Sequence, residues 1–138
     1  RSHEPIEAAQ RLKAGMDAVQ ATFAPPPPPT REARLAQLLT CGLQRAVAKG
    51  DMALVERLTK GFILAVKGLV EPTDLAHVLA VRSQTNPDMW YSTEAAGPCS
   101  CPDWGKHREE AHYRCKHGLA ALMHTRLNEQ AAGDQHAE

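Results

Sequence analysis

Apolar residues recur at steps of three and four along the N-terminal segment, residues 1–24, where positions 6, 9, 12, 16, 19 and 23 carry them. This spacing predicts an amphipathic helix, and Pro5 stands where the first turn of a helix tolerates proline. Residues 25–29 are consecutive prolines, which cannot continue a helix and are typical of a stiff polyproline II spacer. The pattern therefore predicts a helix over residues 1–24 tethered by a linker over residues 25–29. Recognition of the prolines by an SH3-type domain is the alternative role for that linker.

Residues 30–72 show helical spacing twice more, over positions 35–47 and again over positions 54–69. The Lys-Gly-Asp sequence at 49–51 combines a C-terminal glycine with an N-cap residue for a following helix. A joint this short makes the two helices antiparallel neighbours with facing apolar stripes. The sequence therefore predicts an αα-hairpin over residues 30–72.

From His77 onward the pattern changes to short runs rich in β-branched and aromatic residues. "HVLAVRS" and "MWYSTE" are separated by "QTNPD", which has the composition of a turn, so a β-hairpin is predicted. Helical spacing returns in "CKHGLAALMHTRL", and residues 129–138 are expected to form a flexible tail. The predicted fold class is α+β, with a helical N-terminal region followed by a small ββα module.

Composition limits what a chain of 138 residues can do. This length suits one domain, or one small module with a helical extension. Sixteen basic and sixteen acidic side chains cancel, so no general attraction to nucleic acid or to a membrane surface is expected. Residues 31–71 nevertheless hold seven basic and four acidic side chains. These charges form either a solvated helix face or a basic surface for a partner. No apolar run is long enough to span a membrane, so a soluble protein is predicted.

Residues 97–124 contain three of the four cysteines and four of the seven histidines. Structural zinc sites are tetrahedral and commonly take one pair of ligands from a turn and another from the start of a helix. Two such pairs are present here, Cys99 with Cys101 and Cys115 with His117, and soft thiolates favour zinc over oxygen-seeking metals. Metal-bound thiols indicate a reducing compartment, so a cytoplasmic location is expected. Cys41, beside the apolar stripe of the hairpin, is predicted to be a small buried thiol.

The order C-x-C followed by C-x-H resembles the signature of the SWIM zinc finger. This ββα module is found in bacterial SWI/SNF-type ATPases, Mutator-type transposases, recombination accessory proteins and some ubiquitin ligases. "CSCPDW" is similar to the C-x-C-P-D-aromatic sequence of the family, and "CKHGLAALM" to its C-K-H and the apolar helix that follows. The resemblance covers residues 76–128.

The resemblance implies a role for each residue of the motif. The implied ligands of one structural zinc ion are Cys99, Cys101, Cys115 and His117. Trp104 is expected to pack beneath the loop, and Asp103 to accept a hydrogen bond from a ligand or to cap a turn. His107, His112 and His124 are expected to be bystanders.

The chain is predicted not to be an enzyme. Four protein ligands close the coordination sphere of zinc, whereas a catalytic zinc keeps one position open for water or substrate. The sequence also lacks the H-E-x-x-H, P-loop and nucleophile-elbow patterns. Removal of the metal is expected to unfold the C-terminal half.

Two functions remain open for a non-catalytic zinc-binding accessory protein. In the first, the finger contacts DNA or a DNA-bound assembly through Arg82, Lys106, Arg108, Arg114, Lys116 and Arg126. Acidic residues interspersed among these bases would make the affinity modest and strongly salt-dependent. In the second, the N-terminal helices bind a protein partner in a larger complex, without direct contact to nucleic acid. No small-molecule substrate is expected.

Overall fold

The structure is a computed structural model that describes residues 8–13, 26–95 and 97–136, with the backbone alone in residues 132–136. Residues 8–13 are helical and exposed, and we name them α1. The rest of the predicted helix over residues 1–24 lies outside the described residues. In the predicted linker, residues 26–29 are exposed and form neither helix nor strand.

Two helices form an antiparallel hairpin, as the glycine and N-cap pattern predicts. Helix α2 (Arg31–Ala48) begins where Thr30 Oγ1 accepts a backbone N–H at 3.1 Å. Helix α3 (Met52–Val66) begins in the same way, with Asp51 Oδ1 accepting a backbone N–H at 3.0 Å. Between them Gly50 has a φ of 72°, in the left-handed region that favours glycine after a helix.

Three antiparallel strands form a sheet in the order β1-β2-β3. The predicted β-hairpin corresponds to β2 (Val78–Arg82) and β3 (Trp90–Glu94), which pair along their whole length. Strand β1 (Val70–Pro72) lies in the segment that the sequence assigns to the αα-hairpin, and it pairs with β2. Pro72 is tolerated in β1 because β1 is an outer strand of the sheet. The missing N–H of proline costs at most one hydrogen bond there.

Two further helices follow the sheet. A short helix, α4 (Pro102–His107), occupies the first half of the segment between Cys101 and Cys115. Helix α5 (Lys116–His136) continues through residues 129–136, where the sequence predicts a flexible tail. No helix in the described ranges combines the length and the apolar character needed to cross a bilayer.

Helix α5 packs between the αα-hairpin and the sheet. One buried cluster joins α2, α3 and α5 through Leu35, Ala46, Leu58, Ala65, Leu119, Met123 and Leu127. A second cluster joins α3, α5 and the sheet through Leu64, Val70, Val81 and Ala120. The described residues therefore form a mixed helix and sheet structure in which α3 and α5 build a shared core between the αα-hairpin and the sheet.

Cys41 lies on the outer surface of α2, so the prediction of a buried thiol is wrong. The residue stands six positions after the fully buried Leu35. At 3.6 residues per turn, this separation places it about 240° around the helix axis from Leu35. Its side chain consequently faces away from α3 and α5.

Candidate metal centre

The first two cysteines lie on an extended segment beside β3. Thr93 of β3 forms an antiparallel bridge with Cys99, and the N–H of Ser100 donates to the carbonyl of Ser92 at 3.0 Å. The Ser100 hydroxyl accepts the N–H of Ser92, also at 3.0 Å. Alternate side chains of an extended chain point to the same side, so this backbone presents Cys99 and Cys101 together.

The other two predicted ligands stand where α5 begins. The carbonyl of Cys115 accepts the first backbone hydrogen bond of the helix, from the N–H of Leu119, at 2.9 Å. His117 follows in the first turn. The N–H of Gly118 donates to Cys115 Sγ at 3.3 Å, and the N–H of Trp104 donates to Cys101 Sγ at 3.4 Å. The bond from Gly118 favours the thiolate of Cys115, which is the form that binds metal.

The four predicted ligands form one compact and buried group. The ligand atoms of Cys99, Cys101, Cys115 and His117 all lie within 4.8 Å of one another. Cys115 Sγ and His117 Nδ1 are 3.9 Å apart. Around a tetrahedral zinc ion with Zn–S bonds of about 2.3 Å, neighbouring ligand atoms are separated by about 3.8 Å. The four residues can therefore coordinate one metal ion with little rearrangement.

The three thiols interact strongly with one another. Hydrogen bonds from Cys101 and Cys115 lower the pKa of Cys99 to about 3, so one thiolate forms readily. Hydrogen bonding to Cys101 and Cys99, and then burial, raises the pKa of Cys115. A further negative charge is therefore unfavourable here unless a cation offsets it. A divalent metal ion bound here would supply that charge and would hold all three groups as thiolates.

Residues of β3 and α4 enclose the cluster. Thr93 is fully buried, and its Oγ1 lies 3.3 Å from Cys99 Sγ. The ring of Tyr91 lies 4.6 Å from the His117 ring, centroid to centroid. Trp104, which the family resemblance places beneath the loop, lies in α4 and packs against the cysteine cluster. No pattern in the sequence singles out Thr93 or Tyr91. Both residues lie on β3, and their alternate spacing places them on the same face of the strand, next to the cluster.

Asp103 bonds to a tyrosine, and its carboxylate neither accepts from a ligand imidazole nor caps a turn. The Tyr113 hydroxyl donates to Asp103 Oδ2 at 2.7 Å. Burial, and then this hydrogen bond, raises the pKa of Tyr113, so the phenol keeps the proton that it donates. His107 stacks on Tyr113 with ring centroids 4.4 Å apart, and its Nδ1 lies 2.6 Å from Glu110. Residues 102–114 are therefore tied together by contacts of their own.

Arg57 connects this segment to the αα-hairpin. Its Nε donates to the carbonyl of Arg114 at 3.0 Å, directly before Cys115, and its guanidinium lies 4.5 Å above the Tyr113 ring. No local pattern in the sequence signals this contact, because the two residues are 57 positions apart.

Gly61 of α3 is packed closely against the start of α5. A Cβ atom at this position would lie 2.9 Å from the carbonyl oxygen of Lys116 and 3.1 Å from the backbone nitrogen of Ala120. Lys116 stands between the two predicted ligands Cys115 and His117. The glycine thus allows α3 to approach the backbone that carries half of the metal centre.

The three predicted bystanders His107, His112 and His124 lie outside the four-residue cluster. His107 bonds to Glu110, and His112 is exposed with a φ of 63°. His124, two turns along α5 from His117, has its Nε2 3.3 Å from the side-chain nitrogen of Asn128.

The six bases predicted to contact nucleic acid differ in their surroundings. The guanidinium of Arg82 lies 4.4 Å above the Trp90 ring, and Arg114 Nη1 donates to the carbonyl of Ala95. Lys116 is half-buried. The exposed members of the set are Lys106, Arg108 and Arg126.

Comparison of the chain with protein-family models, with curated proteins and with solved structures finds no match. The function of the chain is therefore inferred from the residues and geometry of the cluster itself.

Proposed function

We propose that the chain is a non-catalytic zinc-binding accessory protein, in which a SWIM-type finger stabilises a surface for macromolecular contacts. The observation that carries this proposal is the buried cluster of Cys99, Cys101, Cys115 and His117. Three thiolates and one imidazole are a donor set typical of structural zinc. One zinc ion per chain is the expected cofactor.

The completeness of the donor set supports a structural role for the metal. Four protein ligands satisfy tetrahedral zinc, which leaves no position for a water molecule to be activated. Cys115 is fully buried and His117 is 4% exposed, so access to the ion from solvent would be poor. Both features favour a metal that holds the fold over one that performs a reaction.

The order of elements around the cluster supports the SWIM-type assignment. A β-hairpin precedes the C-x-C pair, and a long helix begins directly at the C-x-H pair. This chain adds β1 and α4 to the ββα pattern, and its finger helix packs on α3. The finger and the αα-hairpin would therefore act as one unit in binding a partner.

A protein partner is the contact that this geometry favours. Two of the six bases proposed for nucleic acid are engaged within the protein, Arg82 with Trp90 and Arg114 with Ala95. In this proposal the chain belongs to a DNA-associated assembly but binds mainly to its protein components. Direct contact with DNA is the second candidate, and the exposure of Lys106 and Arg108 beside the metal centre is the observation that favours it.

Metal analysis of the purified chain tests the proposal. We expect about one zinc ion per chain, measured by inductively coupled plasma mass spectrometry, and its loss in Cys115→Ser, which removes one ligand of the closed site. Cys41→Ser is the matched control, because Cys41 is an exposed cysteine on α2 and should leave the zinc content unchanged. Absence of bound metal from the wild-type chain, or equal loss in both variants, would contradict the proposal.

A further inference from the structure

A cleft of about 680 Å³ separates the αα-hairpin from the segment that leads into Cys115. Its lining includes Leu54, Leu58 and Leu119, so its floor reaches the apolar packing surface between α3 and α5. Gly42 of α2 contributes to this opening, since a Cβ atom there would lie 3.1 Å from Leu58 Cδ2. The cleft consequently offers apolar surface below the level of the surrounding side chains.

The rim of the cleft is positively charged. Its cationic members are Arg45, Lys49, Arg57 and Arg114. Two acidic residues also line it, and both are engaged within the protein. Asp51 Oδ1 accepts the N–H of Leu54 at 3.0 Å, and Glu110 Oε2 lies 2.6 Å from His107 Nδ1. The cleft thus carries an excess of positive charge in a chain whose net charge is zero.

Two of the rim cations are available to a ligand. Arg57 and Arg114 both donate to backbone carbonyls, and they form part of the wall itself. Arg45 and Lys49 are exposed at the end of α2, and neither forms an ion pair with another described residue. These two side chains are therefore positioned to meet negative charge at the mouth of the cleft.

We propose that this cleft binds an acidic peptide segment of a partner protein. An apolar side chain of the peptide lies on the floor beside Leu54, and neighbouring carboxylates lie at Arg45 and Lys49. In an extended peptide alternate side chains point to opposite sides, so acidic and apolar residues in alternation can satisfy the rim and the floor together. Duplex DNA uses cations on an open surface and has no apolar group for the floor, so an acidic peptide is the better complement.

This inference rests on the proposed function, because the wall formed by residues 107–114 leads directly into the metal ligand Cys115. The test therefore uses the full chain loaded with zinc. Its probe is a fluorescent peptide in which glutamate and leucine alternate, and binding is followed by fluorescence anisotropy. Replacement of glutamate by glutamine, or of leucine by serine, should each abolish most of the binding.

Two lysines provide a matched pair of variants. Lys49 and Lys67 are both exposed C-cap residues, at the ends of α2 and α3, and each is followed by a glycine with a φ of 72°. Lys49 lines the cleft, whereas Lys67 does not. We expect Lys49→Glu to weaken peptide binding about tenfold and Lys67→Glu to leave it unchanged. Charge reversal has the same local effect on both helix ends, so a difference between the two variants reports contact with the cleft.

Three results would overturn the inference. The two variants could weaken binding equally, the serine-substituted peptide could bind as well as the leucine peptide, or duplex DNA could displace the peptide and lose its own affinity in Lys49→Glu. Zinc content is measured on the same samples. A zinc-loaded chain that does not bind the peptide contradicts the cleft alone, whereas a wild-type chain without zinc contradicts the proposed function.

Discussion

The side chain of Thr93 lies against a predicted metal ligand. It is fully buried, and its hydroxyl lies 3.3 Å from Cys99 Sγ. Donation of this O–H to a metal-bound thiolate would hold the ligand in place, which is a contribution typical of groups around metal ligands. Thr93→Val keeps the shape but removes the hydroxyl, so we expect zinc affinity to fall about tenfold in competition with a chromogenic chelator.

Thr40→Val is the control for this measurement. The Thr40 hydroxyl donates to the carbonyl of Ala36 at 2.8 Å on the exposed face of α2, far from the metal in the chain. Its replacement should leave zinc affinity unchanged. Equal affinities for Thr93→Val and the wild type would mean that the buried hydroxyl does not support Cys99.

We expect His124 to make the stability of the fold depend on pH. Burial, and then the nearby charge of Arg31, lowers the pKa of His124 below its usual 6.5. The folded chain therefore binds this proton less readily than the unfolded chain, so the contribution of neutral His124 is present above pH 6.5 and is lost as the pH falls toward the lowered value. His124→Gln should flatten the fall in unfolding free energy between neutral and mildly acid pH, measured by denaturant titration. An unchanged slope would contradict this role.

At the scale of the elements, the contact between α3 and α5 depends on Gly61. A Cβ atom there would lie 2.9 Å from the backbone oxygen of Lys116, a separation that requires one of the helices to move. We expect Gly61→Ala to lower the free energy of unfolding by about 1–3 kcal/mol, despite the better helix propensity of alanine. Zinc affinity should fall as well, because Lys116 connects two ligands. Denaturant titration and chelator competition measure the two effects.

Gly42 provides the comparison within the same hairpin. A Cβ atom at this position would meet the end of the Leu58 side chain, at 3.1 Å, and a side chain can shift more easily than a backbone. Gly42→Ala should therefore be neutral or slightly stabilising. If both alanine variants retained wild-type stability and zinc affinity, the close approach of α3 to the metal centre would have no energetic importance.

For the whole molecule, the shared core changes what loss of the metal should do. The sequence predicts unfolding of the C-terminal half, but α5 also packs on α2 and α3 through Leu119, Met123 and Leu127. We expect chelation to remove hydrogen-exchange protection from β3 and residues 97–115 while α3 and the later turns of α5 stay protected. Equal loss of protection in α3 and in β3 would show instead that the chain unfolds as a single unit.

The parts of the fold that depend on neighbouring residues could be predicted from the sequence. The caps at Thr30 and Asp51, the turn at Gly50 and the two ligand pairs follow from local chemistry that short spacings reveal. The structure also brings the four predicted ligands together. Their identification needed only the C-x-C and C-x-H spacings and the elements on either side.

The remaining features depend on residues that are distant in the chain. Strand β1 exists because Val70 pairs with Val81, and neither residue alone signals a strand at positions 70–72. The contacts of Arg57 with Arg114 and of Gly61 with Lys116 are set by the packing of α3 on the later part of the chain. Periodicity describes the face that a helix buries, but it does not identify the element that covers that face.

The extended segment that carries Cys99 and Cys101 also covers the outer edge of β3. At the opposite edge of the sheet, β1 is only three residues long and ends in Pro72. The β3 edge is therefore covered, and the β1 edge offers only a short strand that ends in proline, so both edges disfavour strand addition by another chain. If the proposed metal ion fixes the two cysteines, it would also protect the protein against aggregation, because its loss would uncover backbone donors and acceptors that a second molecule can pair with.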